Sequence, residues 1–181
     1  MDTLIKQYTD AITLIKQKFE GKVDKGGHPY VGHLFRVANS IKKIVDDLTI
    51  CGSSEEAITF YRKAQIVALL HDILEDTDTT VDELRGLCFD DDIIQAVVAI
   101  TRRKDEKLYF DFIERVKEND LAKCVKIYDL EDNMDIRRLK NLEEKDIKRI
   151  SKYWHCWMYL RGQMTPIGCK LAIHPNLAYL K

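Results

Sequence analysis

The chain has little that interrupts a helix: 8 Gly and 3 Pro are spread over 181 residues. Long segments rich in Lys, Glu, Leu and Ile separate these breakers, so an all-α fold is predicted. It also lacks a long apolar run. No stretch approaches the roughly 18 uninterrupted apolar residues that span a bilayer, and the N-terminus MDTLIKQYTD is charged too early for a secretory signal. No membrane association is expected. Nor is there an excess of either charge: 29 Lys+Arg against 30 Asp+Glu leave a net charge of -1. A nucleic-acid partner, which calls for a basic surplus, is therefore not expected. The five cysteines (Cys51, Cys88, Cys124, Cys156, Cys169) form no CxxC pair. They read as free thiols in a reducing cytoplasm and argue against a cysteine-based zinc site. Walker loops, GxGxxG turns, nucleophile elbows, internal repeats and low-complexity stretches are absent.

What is present is 45% hydrophobic and 33% charged residues, enough apolar material for a core under a charged surface. One domain is predicted over residues 1–165, followed by an irregular tail over 166–181. Apolar residues recur at helical spacing over Thr3–Phe19, then the loop GKVDKGGHPY breaks the chain. Its glycines suit either an ordinary interhelical turn or a close approach to a ligand. A second helix spans about Tyr30–Leu48, with His33 near its start, either as a hydrogen-bonded boundary residue or as a ligand. Ser53 and Glu56 predict a capping box for the third helix, and Thr80 and Glu83 another further on. Asp90-Asp91-Asp92 reads as favourable charge at a helix N-terminus, and Thr101-Arg102-Arg103-Lys104 as a solvated basic connector. Three more helices follow: an amphipathic one containing Tyr109, Phe112, Ile113 and Val116, then two over about Leu121–Leu139 and Glu143–Gln163. The last carries Tyr153, Trp154, Trp157 and Leu160 as a core face.

The most informative stretch is AQIVALLHDILEDTDTT, residues 64–80. From Ile66 to Leu74 it is apolar nearly all round, the pattern of a central buried helix. Yet His71-Asp72 and Glu75-Asp76 sit inside it, and burying such groups is costly unless something pairs with them. On a continuous helix, Glu75 lies one turn beyond His71 and Asp76 one turn beyond Asp72, which gathers all four at one end. A metal ion with a water-handling carboxylate nearby fits that arrangement.

With 5 His and 19 Asp, a His-Asp dipeptide is expected by chance about half the time. Adding Glu and Asp three and four residues after that Asp lowers the expectation to roughly a few in a thousand. His33 and Asp129, on other helices, complete a candidate set of two imidazoles and two carboxylates. Asn133 lies one turn beyond Asp129. Such mixed donors suit Mn²⁺, Fe²⁺ or Zn²⁺ with open positions, and Glu75 and Asp76 are placed to orient water or take its proton. Phosphate-ester hydrolysis is the chemistry these residues fit best.

His33, His71-Asp72 and Asp129 resemble the H…HD…D signature of HD-superfamily metal-dependent phosphohydrolases. More narrowly, VDKGGHPYVGHLFRVA, VALLHDILEDTDTT, AITRRKDEKLYFDFIERV and VKIYDLEDNMDIRRL resemble the hydrolase domain of the RelA/SpoT group and its small single-domain relatives. That resemblance implies an all-helical, single-domain bundle with a buried central helix and no synthetase activity. It also implies removal of the 3′-pyrophosphate from (p)ppGpp. It would make His33, His71, Asp72 and Asp129 ligands of one Mn²⁺, with another divalent ion as the alternative. Glu75 and Asp76 would handle the attacking water, Lys25 and Asn133 would contact nucleotide phosphate or ribose, and Tyr30 would support the substrate loop. Departures bear on the substrate. The long alarmone enzymes place His, Gln and Arg where this chain has Phe19, Lys22 and Asp24, and Asp24 cannot stack on guanine as that Arg does. Ile136 stands where they have Thr. A 5′-nucleotidase or cyclic-nucleotide phosphodiesterase on the same scaffold, or a non-catalytic nucleotide-sensing module, are the other readings. A homo-oligomer is left open.

Overall fold

The computed structural model describes residues 3–50 and 52–174. Cys51 and the last seven residues of the predicted tail lie outside them, as do the side chains of residues 45–50. The described residues form ten α-helices in order: α1 (Thr3–Lys18), α2 (Val31–Ile50), α3 (Glu55–Leu70), α4 (Ile73–Asp76), α5 (Val81–Gly86), α6 (Asp91–Ile100), α7 (Tyr109–Lys117), α8 (Asp120–Met134), α9 (Glu144–Leu160) and α10 (Pro166–Ile173). Among the described residues no strand forms. One isolated antiparallel bridge, Val23 to Pro29, closes the loop between α1 and α2. The all-α class is as the scarcity of Gly and Pro predicts. No described helix is long and apolar enough to cross a membrane.

The core is built around α3, whose second half from Ala64 to Leu70 is buried at every position. It packs against α1, α2, α6 and α8, which contribute Ile15, Leu34, Ile41, Ile93, Val97 and Val125 among others. Gln65 is the one polar residue of that half, and from Ile66 to Leu70 the helix is apolar and water-excluded all round.

Local capping sets where the helices begin. Ser54 rather than Ser53 caps α3, its hydroxyl accepting the Ala57 N–H at 3.3 Å. Thr80 caps α5 as its spacing predicts, accepting the Glu83 N–H at 3.2 Å. Asp90 stands at the start of α6 without a side-chain capping bond and is held by Gln7 and Lys63, in keeping with a structural role for the acidic triplet. The C-terminal stretch departs from prediction. Pro166 at the first helical position and the Thr165 cap make α10, so the start of the tail is helical. Its Cys169 is buried, and α10 packs on α9 and α7.

Two further departures concern the site. The predicted central helix does not continue through Leu74: α3 stops at Leu70, and Asp72 adopts φ -102, ψ 2 before α4 restarts the chain. His71 Nδ1–H donates to the Ala68 carbonyl at 2.7 Å, occupying an acceptor at the helix end. The helix over 121–139 is also shorter than predicted, because α8 ends at Met134 and residues 136–138 form a 3₁₀ turn.

Candidate metal centre

The break after Leu70 turns His71 and Asp72 toward α2 and α8. His33, His71 and Asp72 each offer a ligand atom within 4.8 Å of the others, a group able to hold a metal ion. Asp129, from α8, brings Oδ1 to 3.2 Å from His33 Nε2 and 3.4 Å from His71 Nε2. Asp72 Oδ2 lies 3.0 Å from His71 Nε2 and 3.7 Å from His33 Nε2. The four predicted ligands thus converge, although two separate helices and a helix break supply them.

Both imidazoles are held by their far nitrogens. His71 Nδ1 is committed to Ala68, and His33 Nδ1 lies 2.6 Å from Asp132 Oδ2. Each Nε2 therefore faces the centre, the arrangement that leaves a lone pair for a cation. His71 Nε2 is buried and has no hydrogen-bond partner among the described residues. An orphaned imidazole nitrogen between two carboxylates fits a divalent cation. Burial opposes a charge on these rings, yet Asp129 and Asp132 hold His33 above its ordinary pKa, and Asp72 and Asp129 hold His71 well above it. Burial likewise opposes the charge of Asp129, but Lys126, His33 and His71 keep it well below the usual carboxylate range. A cation would displace imidazole protons, so its affinity weakens toward acid pH.

The predicted supporting residues surround this centre in a cavity of 340 Å³ that Lys25, Tyr30, Glu75, Asp76 and Asn133 also line. Tyr30 stacks on Phe19 at 5.0 Å and donates its hydroxyl to Asp72 Oδ2 at 2.6 Å. Asn133 donates its amide to Asp129 Oδ1 at 2.6 Å. Both residues therefore orient candidate ligands from the cavity wall. Glu75 stands at the rim, its Oε2 accepting the Arg102 backbone N–H at 3.1 Å. Partial burial raises its pKa, opposed by that N–H and reinforced by Asp72.

Several residues in this cavity were not singled out by the sequence. Lys126, one turn before Asp129, pairs with its Oδ2 at 2.7 Å. Arg102 leaves the supposedly solvated connector to line the cavity, and α9 adds Arg149, Lys152 and Tyr153. The predicted apolar face of α9 is thus divided: Tyr153 borders the cavity, Leu160 is buried, and Trp154 is 45% exposed. The i,i+3 spacing of Lys126 and Asp129 could have been noticed. Arg149 and Lys152 carry no local signal, because only folding brings α9 over α8.

Asp24 is buried and bonded. Its Oδ1 accepts the Gly26 and His28 N–H groups at 2.9 and 3.0 Å, and Arg138 donates to its Oδ2 at 3.0 Å. A Cβ at Gly26 would collide with the Arg138 carbonyl, and Gly27 has φ +81. The chain therefore needs both glycines to bring this loop against the 3₁₀ turn. Burial alone would raise the Asp24 pKa, but the His28, Arg138 and Gly26 bonds outweigh it and lower it from 3.8 to about 2. Its side chain is only 3% exposed, so the shift corresponds to ~2 kcal/mol of folding stability. That contribution is complete above the unfolded pKa and is lost as pH falls through the folded one. Urea unfolding of wild type and Asp24→Asn should differ by about 2 kcal/mol at pH 6, the gap closing as pH approaches 2. A gap independent of pH would refute the assignment.

A helical bundle with paired imidazoles and carboxylates at a helix break defines a class of histidine–aspartate metal-centre proteins. The HD domain family matches residues 30–137, more than half of the chain, and the chain belongs to that family. It is 29% identical over 147 residues to the guanosine-3′,5′-bis(diphosphate) 3′-pyrophosphohydrolase of Aquifex aeolicus (strain VF5). The alignment covers 78% of this chain and 19% of that protein, so the chain spans about a fifth of that relative's length. It also resembles the solved structure of a metazoan ortholog of SpoT that hydrolyzes ppGpp and plays a role in starvation responses. The TM-score is 0.64 at 20% identity, over 97% of each chain. At that identity the likeness establishes the fold.

Proposed function

We propose that this chain is a divalent-cation-dependent phosphohydrolase that removes the 3′-diphosphate of (p)ppGpp or a closely related nucleotide. The observation that carries the reading is the convergence of His33, His71, Asp72 and Asp129 beside Glu75, in a cavity that six cationic side chains also line. These are Lys25, Arg102, Lys126, Arg138, Arg149 and Lys152. Acidic and imidazole donors together with six cations, Lys126 among them paired with Asp129, suit a substrate with several phosphates. The Aquifex relative and the SpoT ortholog, by their named activities, support the same substrate class.

His33, His71, Asp72 and Asp129 would hold the cation, with Mn²⁺ our preferred ion. When bound, such a cation supplies Lewis acidity, acidifying water and polarising a phosphoryl oxygen. The protein does the rest. Tyr30, Asn133 and Lys126 fix the orientations of Asp72 and Asp129. Glu75, its carboxylate held toward the cavity by the Arg102 N–H, takes a proton from the attacking water, and Asp76 orients that water. The water oxygen bonds to phosphorus, the ribose 3′-oxygen departs and gains a proton, and diphosphate is released. The cationic side chains hold the substrate's remaining phosphates.

Release of diphosphate from ppGpp by the Mn²⁺-loaded chain tests this reading. No turnover across a nucleotide panel, together with tight nucleotide binding, would replace it with the sensing module. The loss of the guanine-stacking position to Asp24 favours one alternative, a nucleotidase or phosphodiesterase on the same site. Release of monophosphate, or opening of a cyclic ester, would identify it.

Lys152 offers a sharper test of these cations. Its ammonium lies over Tyr109 and Tyr153, at 4.2 and 5.2 Å from their ring centroids. No carboxylate pairs with it among the described residues, and burial and neighbouring cations lower its pKa, with Cys156 opposing. Lys152→Met should raise KM for a polyphosphorylated nucleotide about tenfold, the equivalent of ~1.4 kcal/mol, while kcat stays within about twofold. An unchanged KM would remove Lys152 from the binding residues.

A further inference from the structure

Between the substrate loop and the metal centre runs a line of alternating charges whose far end, Arg36 and Asp132, has no part in the roles above. Asp24, in the loop that carries Lys25, accepts from Arg138 at 3.0 Å. Arg138 also donates to the Asp132 carboxylate and, at 2.7 Å, to the Asp132 carbonyl. Arg36 clasps the same carboxylate through Nε at 2.7 Å and reaches Asp24 at 3.5 Å. At the end of the line, Asp132 Oδ2 lies 2.6 Å from His33 Nδ1. The carboxylate of Asp132 is 11% exposed and His33 is 3% exposed.

From this geometry we infer that Asp132 is the positioning residue of the metal ligand His33, and that Arg138 ties cation binding at His33 to the loop presenting Lys25. Two guanidinium groups pin the carboxylate, so it has one orientation in which to receive the Nδ1–H. With Nδ1 carrying the proton, Nε2 keeps its lone pair aimed at the centre. A carboxylate behind a ligating imidazole also raises its basicity as a donor. His71 has only a neutral carbonyl in the equivalent place, so the two ligands are not equivalent and His33 depends on an anion. Because Arg138 spans Asp132 and Asp24, an orientation favoured by a cation at His33 is passed to the loop as an ordered salt bridge. Arg138 also lines the cavity, so this pairing settles which way its guanidinium faces.

The inference rests on His33 being a ligand, as proposed above, and its test separates the two. The probe is Mn²⁺ alone, titrated into the metal-stripped full chain by calorimetry. His33→Ala should weaken Mn²⁺ strongly; if it does not, the ligand assignment itself fails. Asp132→Asn, nearly isosteric, should weaken Mn²⁺ about 10–100-fold. It should also shift the His33 ring in ¹⁵N-histidine spectra of the metal-stripped chain from the Nδ1–H tautomer to a mixture. A merely structural role would lower the melting temperature and leave both readouts alone. Should Asp132→Asn fail to fold, Arg138→Gln keeps the test open. Mn²⁺ should then weaken by roughly threefold, taking a modest share of the effect of an outer partner. In wild type, Mn²⁺ should slow tryptic cleavage after Lys22 and Lys25, and in Arg138→Gln it should not. Wild-type affinity in Asp132→Asn while His33→Ala is impaired would overturn the positioning role. Undiminished protection in Arg138→Gln would overturn the coupling.

Discussion

Asp72→Ala is expected to lose bound metal and hydrolysis together. Asp72 Oδ2 faces both imidazoles and accepts the Tyr30 hydroxyl. Its removal takes one of four donors and half of the carboxylate charge facing a dication. Four-ligand structural metal sites are worth ~10–16 kcal/mol, so an equal share is ~3 kcal/mol, on the order of a hundredfold in affinity. The change also leaves the partly buried Tyr30 hydroxyl without its acceptor, at ~1–3 kcal/mol. Metal content after dialysis, helicity by circular dichroism and turnover should be measured on one preparation. Normal helicity with absent metal and turnover is the expected result. Stoichiometric metal at wild-type affinity would show that Asp72 is not a ligand.

Glu75→Gln should separate chemistry from binding. The amide oxygen can still accept the Arg102 N–H, so the rim keeps its shape and the four candidate ligands are untouched. What disappears is the ability to take a proton. A loss of about 10²–10⁴-fold in kcat is expected from removing a general base, with KM and metal content near wild type. The acid side of the pH profile supplies a second readout. Partial burial, with Asp72 nearby, raises the Glu75 pKa above its ordinary 4.5. The base must be ionised to act, so wild-type kcat should fall as pH drops through that raised value. This limb should vanish in Glu75→Gln. An unchanged kcat would assign proton removal to another group, with Asp76 next in line.

How much of this was legible beforehand depended on whether a residue's partners lay within a few turns of it. His71, Asp72, Glu75 and Asp76 stood out because charged groups interrupted an apolar run. Their neighbourhood survived folding even though the helix meant to carry them did not. The break came from His71, whose ring bonds the Ala68 carbonyl, and from the bridge-region backbone of Asp72. Neither property shows in hydrophobic periodicity. Asp24 was read as a substitution in a guanine site. Its buried pairing with Arg138, 114 residues away, also makes it a loop anchor. Asp132 was one acid among several in DLEDN, without any local mark of its contact with His33 across 99 residues.

Taken by itself, the sequence determined the helical class, the buried segment at the centre of the core and the identity of the polar residues gathered at its end. Each follows from composition and spacing, and these act within a turn or two of the chain. Only the tertiary structure decided which nitrogen of each imidazole faces the centre, which carboxylate steadies His33, and that cations from α8, α9 and two loops line the same cavity. Those outcomes depend on hydrogen bonds and ion pairs between segments distant in sequence, whose direction and length exist only once the helices have packed.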